Sequence, residues 1–64
     1  MSITLKAARI NAGLTQAEIA EKVGVSKPTY KKWEQGTGEP KVSQFKQLCD
    51  ALRVAPDDII LPAS

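Results

Sequence analysis

Lys27, Lys31, Lys32 and Gln35 recur at spacings that bring them together on one side of a helix. At about 100° per residue they fall, with Pro28, inside one arc of roughly 140°. Ammonium and amide donors on one arc suit acceptors on an anionic polymer. These are phosphate oxygens, or the O6 and N7 atoms of guanine. The opposite side of the same stretch carries Ser26, Thr29, Tyr30 and Trp33, including two of the three aromatic residues in the chain. Lying on the inner face, Tyr30 and Trp33 are expected in the core and not as a platform for stacked bases.

No competing chemistry is visible. The chain has no histidine, a single cysteine and scattered acids, with no glycine-rich loop to cradle a phosphate. Neither a catalytic set nor a metal or cofactor site can be assembled, so an enzyme is not expected. Cys49 lies in an apolar stripe and is expected as a small buried hydrophobe. One cysteine allows no internal disulfide and suits a reducing cytoplasm.

These donors need a scaffold, and 64 residues provide room for one domain, spanning 1–64. A hydrophobic content of 42% is ordinary for a globular protein. No apolar run approaches the ~18 residues of a membrane span, and no signal-peptide pattern opens the chain. The net charge of +2 is too small to argue for nucleic acid alone. Its distribution says more: Lys27, Lys31, Lys32 and Lys41 surround the donor arc, while Asp50, Asp57 and Asp58 lie toward the C-terminus.

The donor arc belongs to the second of two short helices. Thr15 and Glu18 have the spacing of a capping box, with Leu14 and Ile19 as a hydrophobic staple, so a helix starts at Gln16. Ile19, Ala20 and Val23 supply its buried stripe, and Gly24 ends it. Ser26 is placed to cap the next helix, where Pro28 falls in a turn that needs no intrahelical amide donor. Two helices joined by a short glycine-containing turn form a helix-turn-helix if they cross steeply, and Ala20 and Gly24 are small enough to allow it.

The run TQAEIAEKVGVS and the closing WEQG resemble the phage repressor and Cro-type, lambda-repressor-like helix-turn-helix family, and the flanking segments match as well. The resemblance implies an all-α, compact bundle of five short helices, with helices 2 and 3 forming the motif. It places Lys27, Pro28 and Lys32 at base-reading positions, with Lys31 beside them, and assigns Gln16 to a DNA phosphate at the start of helix 2. Thr15, Thr29, Gln35, Thr37 and Lys41 are further candidates for phosphate contacts. The helical wheel turns Arg9 and Glu34 toward each other, and the family implies the same ion pair.

The flanking helices follow from periodicity. A first helix is expected from Ile3 to Asn11, with Leu5, Ala8 and Ala12 on one side. A fourth is expected from Val42 to Leu52, with Val42, Phe45, Leu48, Cys49 and Leu52 as its buried stripe. A short fifth begins at Pro56, with Asp57 and Asp58 in its first turn. The apolar run Ile59, Ile60 and Leu61 exceeds what a five-helix core needs and is expected at a dimer interface. Two departures from the family pattern stand out: Lys41 replaces a capping serine, and Arg53 replaces a glycine that ends helix 4. Glu39 would repel a phosphate close to its loop.

The function expected is a sequence-specific, double-stranded-DNA-binding transcriptional regulator, in the manner of a repressor. It would act as a cytoplasmic homodimer on a palindromic operator through the major groove, without a membrane. The alternative is an antitoxin whose apolar C-terminus docks a toxin protein.

Overall fold

In a computed structural model, which describes residues 2–62, four α-helices enclose a core and a minimal parallel sheet joins the two ends of the chain. The order is β1 (Ile3–Thr4), α1 (Leu5–Asn11), α2 (Gln16–Val23), α3 (Lys27–Gln35) and α4 (Val42–Leu52). One 3₁₀ turn (Pro56–Asp58) and β2 (Ile59–Ile60) follow.

Local chemistry sets most boundaries. Glu18 N–H donates to Thr15 Oγ1 at 3.1 Å and Thr15 N–H to Glu18 Oε1 at 2.9 Å, the reciprocal pair that opens α2. Gly24 closes α2 with φ +80, a conformation that costs a residue with a Cβ about 1–2 kcal/mol. Ser26 Oγ then accepts from Thr29 N–H at 3.3 Å and opens α3.

Two of the expected helices are corrected. The first begins at Leu5, because Thr4 is its cap: the Thr4 hydroxyl accepts from Ala7 N–H at 3.2 Å, which leaves Ile3 and Thr4 extended. The expected fifth helix is a single 3₁₀ turn that passes into β2. Ile59 and Ile60 are β-branched, and β2 runs parallel to β1 in the register Ile3 with Ile59 and Thr4 with Ile60. Backbone pairing with β1 replaces the intrahelical bonds that so short a helix would have offered.

The strand also divides the apolar run expected at a dimer interface. Successive residues of a strand point to opposite sides. Ile59 and Leu61 therefore pack against the chain's own core, and Ile60 is left 49% exposed.

The core itself comprises Leu5, Ala8, Ile19, Ala20, Val23, Tyr30, Trp33, Leu48 and Leu52, with Cys49 buried beside them. Tyr30 and Trp33 meet edge to face, with ring centroids 5.8 Å apart and planes at 67°. Val42 was expected in this core and is 89% exposed. It has the angular position of the stripe but is the first residue of α4, so the core that covers Leu48 does not reach it. Ala12 is likewise exposed as the C-cap of α1.

Lys41 and Arg53 stand at the two ends of α4. Lys41 offers no side-chain acceptor, but its N–H donates to Gln44 Oε1 at 2.8 Å, so one arm of a capping box remains. Arg53 ends the helix with φ +58, the one non-glycine residue with positive φ among those described. Arg53→Gly is expected to relieve about 1 kcal/mol of strain and raise the thermal midpoint by about 4–8 °C. Circular dichroism melts check this, and an unchanged or lower midpoint would refute the strain.

Candidate nucleic-acid interface

Helix α3 presents two unlike faces because its period places them so. Tyr30 and Trp33 face inward at 0% and 3% exposure and fix the helix to the core. Lys27, Pro28, Lys31, Lys32 and Gln35 are all exposed. Amphipathic packing against α2 is therefore enough to project the lysine arc away from the protein.

The candidate phosphate residues are more scattered. Thr15, Thr29, Thr37 and Lys41 are exposed, while Gln16 is half-buried in the first turn of α2. Some of their polar atoms already serve the fold. Thr15 Oγ1 caps α2, and Thr29 Oγ1 accepts from Ser26 Oγ at 2.9 Å. Thr37 N–H donates to Lys32 O at 3.0 Å, which holds the turn after Gly36. Glu39 stands exposed in the loop before α4.

Behind this surface sits a carboxylate with several donors. Arg9 Nε donates to Glu34 Oε2 at 2.7 Å, with side-chain exposures of 12% and 6%. Arg9 Nη2 reaches Oε1 at 3.4 Å, Gln16 Nε2 donates to Oε1 at 3.1 Å, and Tyr30 OH donates to Oε2 at 2.5 Å. Arg9 Nη1 also donates to Leu14 O at 3.0 Å. One carboxylate thus ties α3 to α1 and to the start of α2.

The charges respond to this arrangement. Burial pushes the Glu34 carboxyl up, but the bonds from Arg9, Tyr30 and Gln16 outweigh it and hold the group below its ordinary 4.5. The bond to Glu34 raises the Arg9 guanidinium. Burial, and then the neighbouring carboxylate, push the Tyr30 phenol well above its usual range. Glu34 is ionised, Arg9 is charged and Tyr30 is a neutral donor at neutral pH.

The wheel brought Arg9 and Glu34 to facing edges, but it gave no sign of the bonds from Gln16 and from the Tyr30 hydroxyl. Gln16 is 18 residues from Glu34, beyond the reach of any local periodicity. A signal did exist for Tyr30, which stands four residues before Glu34 on one helical face.

Among the described residues no group of three His, Cys, Asp or Glu side chains could hold a metal, and the Cys49 thiol is buried, which pushes its pKa up. No helix among them is long and apolar enough to cross a membrane.

Comparison with known proteins agrees with this geometry. A family model described as helix-turn-helix matches residues 5–59. The transcriptional repressor RstR of the cryptic phage CTXphi, from Vibrio cholerae serotype O1 (strain ATCC 39315 / El Tor Inaba N16961), is 38% identical over 45 residues. Those residues span 70% of this chain and 40% of that repressor.

Proposed function

This chain belongs to the helix-turn-helix family of the repressor and Cro type, and from that premise we propose that it is a sequence-specific transcriptional repressor. It binds double-stranded DNA with α3 in the major groove. The observation that carries this is the exposed arc of Lys27, Lys31 and Lys32 on a helix whose inner face is locked into the core. It is a binding protein and not an enzyme.

Lys27 and Lys32 read base edges, with guanine the natural partner of a lysine donor, and Pro28 offers its ring to a thymine methyl. Lys31 stands beside them. Gln16, at the positive start of α2, takes a phosphate. Thr15, Thr29, Gln35, Thr37 and Lys41 supply further backbone contacts, which set register without reading sequence.

One helix reads too few base pairs for useful specificity, so the protein acts as a cytoplasmic homodimer on a palindromic operator. Ile60 is the centre of the dimer contact, being half-exposed, and Ile59 and Leu61 flank it from the edge of the core.

Selection from a random duplex library tests this reading. The expected product is an inverted repeat containing G·C pairs, with half-site centres about 34 Å apart, one turn of DNA. Enrichment without any sequence preference would refute it. A stable complex with a toxin protein on purification, with DNA binding secondary, would favour the antitoxin alternative.

A further inference from the structure

We infer that Glu34 is a positioning residue for DNA binding: it takes one Gln16 amide hydrogen and holds the side chain at the start of α2 with the second N–H left for a phosphate. This rests on the phosphate role of Gln16 proposed above.

The chemistry of the pair dictates the orientation. A carboxylate only accepts, so of the two ends of the Gln16 amide the nitrogen must face Glu34, and it does so at 3.1 Å. An amide nitrogen has two hydrogens, and one bond to Glu34 leaves the other. Gln16 is half-buried, so the residue is not sealed inside the protein and part of it remains open to solvent.

The acceptor is itself immobilised. Arg9 and Tyr30 hold Oε2 at 2.7 and 2.5 Å, and the same arginine is anchored on Leu14 O, two residues before Gln16. The carboxylate and the segment bearing Gln16 therefore share one guanidinium as a reference point. Arg9 also offsets the charge that would otherwise repel an approaching phosphate. Because Glu34 belongs to α3, the phosphate contact at α2 and the base contacts of α3 are set in register by one side chain.

A double-mutant cycle on affinity for the selected duplex tests this, with folding checked by circular dichroism. Gln16→Met removes both donors while keeping most of the volume, and weakens binding about tenfold or more. A neutral donor releases no counterion, so the salt slope stays unchanged. Glu34→Gln keeps an acceptor for Arg9 but no longer dictates which end of the Gln16 amide faces it. It is expected to weaken binding several-fold alone and not at all in the Gln16→Met background. Equal losses from Glu34→Gln in both backgrounds would overturn the positioning role and leave the phosphate contact standing. If Gln16→Met alone changes nothing, the phosphate contact falls and the inference with it.

Should Glu34→Gln fail to fold, the unaltered protein gives the answer by nuclear magnetic resonance. The Gln16 amide proton bonded to Glu34 is expected downfield of its position in a free glutamine, with the second proton moving most when duplex is added. Both protons at the positions of a freely rotating glutamine would overturn the inference.

Discussion

Glu34→Ala is expected to remove a large share of the protein's folding stability. The side chain is 6% exposed, and its removal leaves the Arg9 guanidinium, itself 12% exposed, without its anion. It also strands the Tyr30 hydroxyl, whose ring is fully buried, and the Gln16 amide. Breaking a buried pair in this way costs about 3–5 kcal/mol, against a total stability of about 3–10 kcal/mol for a domain of this size. Urea titration followed by Trp33 fluorescence measures the loss. A cost below about 1 kcal/mol would mean that the pair behaves as an exposed one and does not anchor α3.

The same network gives the fold an acid limit. Glu34 has a folded-state pKa below its ordinary 4.5, so the folded protein holds its proton less tightly than the unfolded chain. Its contribution is fully present above pH 4.5 and is lost as the pH falls through the folded value. Glu18, held low first by the Thr15 backbone N–H, acts in the same direction from the α2 cap. Stability is therefore expected to decline below pH 4.5, and Glu34→Gln removes the Glu34 share of that slope, measured from the base of the less stable variant.

Lys32→Ala and Lys27→Ala are expected to abolish operator selection without touching the fold. Both side chains are exposed, so folding stability stays within about 0.5 kcal/mol of the parent. A lysine donor to guanine discriminates by about 1–3 kcal/mol, and the proposed dimer would lose the contact in both half-sites, about 2–6 kcal/mol in all. Fluorescence anisotropy with the selected duplex and with single-base variants measures the effect. The substitution should also relax preference at one base pair in each half. Equal weakening on every sequence, with the salt slope reduced by about 1 per lysine, would reassign that residue to a phosphate.

Much of this architecture follows from local rules that the sequence carries by itself. Thr15 and Glu18 specify where α2 starts, Gly24 where it stops, and Ser26 where α3 begins, because each acts on amides within a few residues. The helical period then separates Tyr30 and Trp33 from the lysine arc, which makes the donor face legible before any fold is known. Even the facing of Arg9 and Glu34 can be read from two wheels.

What the tertiary structure alone decided depends on partners distant in sequence. Ile59 and Ile60 carry no local mark that β1, more than 50 residues earlier, will pair with them. That pairing ended the expected fifth helix and turned two of three apolar residues inward. Val42 lay on the right angle of its stripe, but only the packed layers show how far along α4 the core extends. The Gln16 amide reaches Glu34 across 18 residues because α2 and α3 pack against each other, and no periodicity within either helix contains that distance. Local sequence determines which side of each helix is apolar; the packing of one helix on another determines which polar atoms meet behind it.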